Sequence, residues 1–576
     1  MWRSRPTSSL VSKAQTAAGA LRHSGRALFL FFATLLIVSS VALLYLLNAS
    51  LLVSTPARGG SWNEGIVGAP RFINPVLAIS DADQDLTTLV YSGLLRATNT
   101  GSYVPDVAEK YEISPDGKTY IFTLRDDVVF QDGTPLTVDD VIFTINKIQD
   151  PSIKSPERGN WNGVTVQKMD DRTVAFTLRS AYAPFIENFT TGILPKHLWQ
   201  QVTTEDFSIN PLNTAPVGSG PFSVTSVSRS STGVPTKLEL SAFAQASRGE
   251  PYLTRMTFTF YQNEDKLIDA LRRGDIEAAS GITPARLSEL PKNLHIEQAP
   301  LNRVFAVFLN QYQHDALRDT VVRKALNDAI DREALIRAVL KGYGTALHGP
   351  LPESILAEDN TPRASLEEIK ATLKAAGWEP GQNGMLQKTS GSGKNSKVVT
   401  LSFTLATGNV PELRAAAEYL RMRWGELGVG VDTAVYDQGD LTQTVIRPRK
   451  YDALLFGMVV GRTPDLYAFW HSSERTDPGL NIAQYTNLAV DTLVEQLRST
   501  QSDNLRTMLY KQFAAEMSRD IPAVFLYAPD FVYIVPNGIR GLDLGFIETP
   551  SDRFLQAHEW HRQTDMVWPI FVPGQS

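Results

Sequence analysis

The chain contains no cysteine. That single absence excludes disulfides, thiolate metal sites and a cysteine nucleophile. It also excludes the lipid-carrying cysteine that tethers many exported bacterial proteins. Histidine is scarce, eight in 576 residues, with no H-E-x-x-H and no paired ligand spacing, so no metal or other cofactor is expected. The chain has no basic stripe and no nucleic-acid motif, which sets nucleic acid aside as a partner. No internal repeat is visible.

Partial motifs fail on inspection. "GSGKNS" (391–396) lacks the first glycine of a phosphate-binding loop, has Asn395 after its lysine and precedes a strand, where that loop precedes a helix. Gly218-Ser219-Gly220 lacks the spacers of a G-x-S-x-G nucleophile elbow. Asp126-Asp127 reads as strand, where neighbours point to opposite faces, and Asp139-Asp140 as a first helical turn, where acids suit the helix dipole. No constellation argues for an enzyme.

What is present begins at the N-terminus. Residues 1–26 carry Arg3, Arg5, Lys13, Arg22 and Arg26 and no acid. "ALFLFFATLLIVSSVALLYLL" (27–47) follows without a charge. It is long enough to cross a hydrocarbon core of about 30 Å and longer than the apolar stretch of a cleaved signal peptide. The expectation is a single-pass anchor with 1–26 cytoplasmic, a linker at 48–61, and a binding domain outside the cell membrane; a cleaved signal peptide is the alternative. The whole chain carries a net charge of −6, so the part beyond the basic tail is distinctly acidic, which favours solubility.

Length implies several domains or lobes. To about residue 260, strand and turn signals dominate. "GKTYIFTLRDDVVFQDGTPLT" (117–137) alternates and turns at Asp132-Gly133, and "TVDDVIFTINKIQD" (137–150) opens with a capping threonine and acids. From about 300, strands alternate with helices. "VVRKALNDAIDREALIRAVLKGYG" (321–344) reads as a helix pair with Asp331 capping the second, and 397–437 as a strand–helix–strand unit of a parallel sheet. "YDALLFGMVVG" (451–461) and "AVFLYAPDFVYIV" (523–535) are strands, with helices near 487–500 and 504–518 between them.

Four stretches carry a resemblance. They are 90–148, with "YVPDVAEKYEISPDGKTYIFTLRDDVVFQDGTPLTVDDV" inside it, "PVGSGPF" (216–222), "VRKALNDAIDREALI" (322–336) and "YDALLFGMVVGRTPDLYAFWHSS" (451–473). Together they resemble the extracytoplasmic solute-binding proteins of ABC importers, family 5, the peptide/nickel class, over about 62–560. The resemblance implies an α/β, two-lobe periplasmic-binding-protein-like fold of type II with an inserted third subdomain. Lobe I would be 62–90, 213–300 and 525–576, the insert 91–212 and lobe II 301–524. "PVGSGPF" would be a structural corner between the insert and lobe I. The implied function is to bind a small peptide or peptide-like solute between the lobes and deliver it to ABC permease subunits, as a monomer and without covalent chemistry. A ligand-sensing receptor of the same fold is the alternative, against which the short cytoplasmic tail argues.

The resemblance also implies a ligand strand added along "LLFGMVVG" (454–461). Trp62, Asn63, Asn74, Gly457, Gly461, Arg462, Asp465, Trp470, His471, Asn481 and Tyr485 would border the ligand. Peptide binders place an aspartate against the ligand's amino terminus where this chain has Gly461 or Arg462. Arginine suits a carboxylate or phosphate, so an anionic or amine-blocked ligand is a second expectation. Arg462 turned to solvent is the alternative.

Overall fold

The computed structural model describes residues 15, 23–292, 294–352, 355–356, 364–390 and 396–571. Most of the basic tail (1–26) and most of "GSGKNS" lie outside the described residues. Two compact units result: residues 59–561, and a second made of the N-terminal 58 residues with those from 562 onward.

The larger unit is built on a long mixed sheet. From one edge its strands run Gly430–Tyr436, Ser402–Gly408, Ala453–Val459, Arg303–Leu309, Ala523–Val535, Ala278–Ser280, Ser61–Val67, Arg255–Tyr261, Pro235–Ala242 and Phe222–Arg229. Ala523–Val535 joins the two halves. Its first part pairs antiparallel with Arg303–Leu309 (Val307 opposite Val524), and its last part with Ala278–Ser280 (Ala279 opposite Ile534) and His295–Pro300. Eleven of its thirteen residues are buried, as β-branched and aromatic side chains favour in a strand covered on both faces.

The strand–helix–strand expectation holds. Ser402–Gly408 and Gly430–Tyr436 are parallel and joined by helix Pro411–Gly425. Asp331 caps Arg332–Val339 by accepting from Ala334 N, and Thr137 with Asp140 forms a capping box on Val138–Gln149. Asp126-Asp127 departs from its strand expectation. Strand Thr119–Leu124 ends before it, and Arg125 draws Asp127 into an exposed ion pair.

A separate four-stranded sheet orders Ala108–Ile113, Thr119–Leu124, Thr173–Thr177 and Thr165–Lys168. Tyr120, Phe122, Trp161, Phe176, Phe185 and Phe189 fill one buried aromatic cluster against it, the packing that fixes segment Ala183–Thr190.

The corner at 216–222 owes its glycines to close approach. Neither Gly218 nor Gly220 has positive φ. A Cβ on Gly218 would lie 2.1 Å from Val90 O, and one on Gly220 2.6 Å from Val90 C. Gln131 locks the contact, donating to Val90 O and Phe222 O while accepting from Gly218 N.

In the smaller unit, helix His23–Leu51 outruns the expected 27–47 span, and Gly25–Leu51 is apolar enough to cross a membrane. The expected linker is not irregular. Val53–Ala57 pairs antiparallel with Gln563–Val567, a partner five hundred residues away that no local pattern announces.

Candidate ligand cavity

Strand Ala453–Val459 hydrogen-bonds Arg303–Leu309 along its whole length, but Ser402–Gly408 only through Ala453, Leu454 and Leu455. Among the described strands, Phe456–Val459 therefore leaves one backbone edge unpaired. The chain beyond it is clamped, since Asn302 Nδ2 donates to the carbonyls of Val460 (2.8 Å) and Gly461 (3.2 Å).

Arg462 then enters the wall of a cavity of about 360 Å³. Its guanidinium is 5% exposed, donates to Asp552 Oδ2 (2.6 Å) and Glu548 Oε2 (3.3 Å), and lies over the Phe546 ring. Asp552 is held in turn by the backbone N–H groups of Glu548 and Thr549, the capping box of Pro550–Phe554. The adjacent Arg553 anchors that segment, fully buried between Glu64 (2.8 Å) and Asp85 (2.6 Å).

Glu187 reaches the same wall from Ala183–Thr190, where Phe185 and Phe189 bind the segment into the aromatic core. Tyr103 Oη donates to it at 3.3 Å. Glu187 and Glu548 are hydrogen-bonded to each other. Burial and the neighbouring Glu187 push the Glu548 carboxyl up to about 8, against the pull of Arg462. Burial likewise raises Glu187. Two carboxyl groups this close and this dry share a proton rather than ionise together. A Cβ on Gly461 would lie 3.4 Å from Glu187 Oε2 and 3.5 Å from Glu548 Oε1. Residues distant in sequence thus bring carboxylates to the space that a side chain at 461 would occupy.

The cavity's other cations differ. Arg248 is spent on buried Asp106 (2.6 Å). Arg96 has no ion pair within 4.0 Å among the described residues, and burial together with nearby Arg248 lowers its pKa. An arginine in that setting favours an incoming anion.

Asp465 stands at the N-cap position of helix Leu466–Trp470, where its side chain is turned to other partners. Its Oδ2 accepts from Tyr182 Oη (3.2 Å) and Arg498 Nη2 (3.1 Å), while its buried Oδ1 has no partner among the described residues. Arg498 lies over the rings of Tyr182 and Tyr467, and Tyr467 stacks on His471 at 4.1 Å. His471 Nδ1 bonds Ser473, and Nε2 lies 3.3 Å from Glu495.

Of the eleven expected ligand residues, only Arg462 lines this cavity, with Gly461 beside it. Arg462 is turned neither to solvent nor to an open anion site, because the protein's own carboxylates engage it. Trp62 is fully buried, donates to Glu64 and packs on Trp560. Asn63 donates to Asp275 O, and buried Asn74 to Asn213. Gly457 accommodates Phe305, whose ring lies 2.8 Å from where a Cβ would sit. Trp470 packs among Phe308, Phe513 and Phe525. Asn481 ties the backbone of His471 to that of Tyr485, and Tyr485 Oη donates to Asp520. These side chains shape the scaffold, as large buried aromatics and satisfied buried amides do. Glu187, Glu548, Asp552, Tyr103 and Arg96 escaped the sequence reading. Only Asp552 carried a local signal, the T-x-x-D capping pattern at 549–552.

A model of bacterial extracellular solute-binding proteins, family 5 middle, matches residues 102–479. The chain belongs to this family. The oligopeptide-binding protein AppA of Bacillus subtilis is 29% identical over 511 residues, 86% of this chain and 91% of that protein. The dipeptide-binding protein of Escherichia coli K12 is 25% identical, covering 80% and 87%. Among solved structures, the ABC transporter substrate-binding protein CtaP of Listeria monocytogenes superposes with a TM-score of 0.71 at 26% identity, covering 88% of this chain and 99% of that one. The AppA structure in complex with a nonapeptide gives a TM-score of 0.62 at 25% identity, covering 88% and 100%. The α/β fold is that of this family 5 solute-binding protein, whose relatives are binding proteins rather than enzymes.

Proposed function

We propose that this chain is the membrane-anchored, extracytoplasmic solute-binding component of an ABC importer, that it acts as a monomer, and that it delivers peptides to a permease. Residues 62–90, 213–300 and 525–576 would form lobe I, 91–212 its inserted subdomain and 301–524 lobe II, closing about the crossings near 300 and 525. Differential affinity of the closed and open states for ligand supplies the coupling.

The observation that carries this reading is the presence of both charge signs around the cavity, whose wall residue Arg462 follows an open strand edge in the chain. The Glu187–Glu548 pair, one proton short of full ionisation, suits an ammonium, and Arg96 suits a carboxylate. A peptide with free ends has both groups and a backbone that can pair with Phe456–Val459. An anionic solute held by Arg462 is disfavoured, since Glu548 and Asp552 already engage that guanidinium. The test is mass spectrometry of small molecules released on denaturing full chain purified without added ligand. A set of free-ended peptides supports the reading, and a single non-peptide anion overturns it.

A further inference from the structure

The smaller unit has a feature that solute binding does not use. From Ala27 to Ala57 the sequence has no charged residue, and neither does "MVWPIF" (566–571). The candidate membrane span, Gly25–Leu51, has 27 residues, about 40 Å at 1.5 Å per residue, longer than a hydrocarbon core of about 30 Å. The helix therefore exceeds the core by about two turns. Strand Val53–Ala57 starts two residues later, and its antiparallel register puts Val567 opposite Val53 and Met566 opposite Ser54. The pairing ends at Val567, whose partner Val53 lies two residues past the helix. Just after it, Trp568 is 43% and Ile570 82% exposed, with Met566 at 56% and Val53 at 43%. Large apolar side chains left bare beside a lipid-facing helix find their solvent in the same lipid, and tryptophan favours the headgroup level.

We infer that Met566, Trp568 and Ile570 lie in the outer interface of the bilayer that Gly25–Leu51 crosses, so that the chain is held to the membrane at two points. This rests on the proposal that the helix is retained as an anchor. The chain passes from the smaller unit to the larger one between 58 and 59 and back between 561 and 562.

The absence of cysteine makes the test clean, because any introduced thiol is unique. Full chain carrying Val38→Cys, Trp568→Cys, Ile570→Cys or Val234→Cys is labelled with an environment-sensitive fluorophore and reconstituted in phosphatidylcholine–phosphatidylglycerol vesicles, with and without acyl-chain spin-labelled lipid. Blue-shifted emission that the spin label quenches is expected at 38, 568 and 570, with no loss at the exposed turn position 234. Quenching at 38 with watery, unquenched emission at 568 and 570 would overturn the second attachment and leave the anchor standing. Watery emission at 38 as well would overturn the anchor and the inference with it. A blue shift at 568 and 570 without quenching would mean that protein covers them, and would overturn the lipid contact.

Discussion

Arg462 Nη2 and Asp552 Oδ2 lie 2.6 Å apart, both side chains almost fully buried. The pair ties the loop after strand Ala453–Val459 to the capping turn of Pro550–Phe554. Glu548 shares the same guanidinium. Removing one partner of a buried pair costs about 3–5 kcal/mol, because the remaining charge stays unpaired in a dry site. Arg462→Met is therefore expected to lower unfolding stability by that order in urea titration. Adding Glu548→Gln should recover part of it. No recovery would mean that Glu548 is not the group left uncompensated.

The Glu548 carboxyl titrates near 8, against an ordinary value of 4.5. Between those values the folded protein holds more protons than the unfolded chain. Its contribution to stability is complete below about 4.5 and is lost as pH rises through about 8. An incoming ammonium replaces the shared proton, so peptide binding near pH 7 should release protons, and affinity should rise from pH 5 to 7. Glu187, Arg462, Asp552 and Tyr103 are the charged and titratable groups that face this carboxyl, and Tyr182 lies beside Glu187. Calorimetry in buffers of different ionisation enthalpy reads the release directly. Glu548→Gln should abolish it, and amine-acetylated peptides should bind without it.

In the same cavity lining, Arg96→Met should weaken binding of free-ended peptides while leaving C-terminally amidated peptides unchanged. Partial burial and the nearby Arg248, which outweigh the pull of Asp106 and Glu559, are the reason to expect a ligand carboxylate there. Equal loss for both peptide series, in titration calorimetry, would remove Arg96 from the site.

Gly461 sits beside two carboxylates. Gly461→Asp with Arg462→Asn would have been the natural way to install amine recognition. With Glu187 and Glu548 present it should instead destabilise the protein, since a further carboxylate enters an acidic pocket that has lost its cation. In a Glu187→Gln, Glu548→Gln background that keeps Arg462, Gly461→Asp should restore preference for free-amine peptides. A competition assay with paired free and acetylated peptides decides it.

Two glycines separate close approach to side chain from close approach to backbone. Gly457→Ala meets the Phe305 ring, which can shift, and should cost about 1–3 kcal/mol, relieved by Phe305→Leu. Gly218→Ala meets Val90 O at 2.1 Å. Backbone held by Gln131 has nowhere to go, so the loss should be larger and should find no side-chain suppressor. Thermal unfolding of the three variants compares them.

The elements were largely local matters. Thr137 and Asp331 cap their helices by side-chain oxygens a few residues from their targets, the 397–437 unit alternates by period, and 27–47 declares itself by an unbroken apolar run. Those signals act over one or two turns, and the sequence contains them in full. The glycines of 216–222 stand out in the sequence, but their reason does not: they permit contact with Val90, 128 residues before Gly218, rather than a left-handed turn. The candidate site was legible only at Gly461 and Arg462. Trp62, Asn74, Trp470 and Asn481 have residue types that suit a cleft, yet packing put them in the interior. Nothing local distinguishes an aromatic that walls a cavity from one that fills a core. Glu187 and Glu548 meet because an aromatic cluster fixes one segment and a buried Arg553 fixes the other. Their shared proton exists only at that meeting, since a carboxyl's pKa is set by what surrounds it and not by its place in the chain. In the same way, Val53–Ala57 became a strand only when Gln563–Val567 arrived beside it. Strand pairing between ends so far apart is decided by the folded chain as a whole.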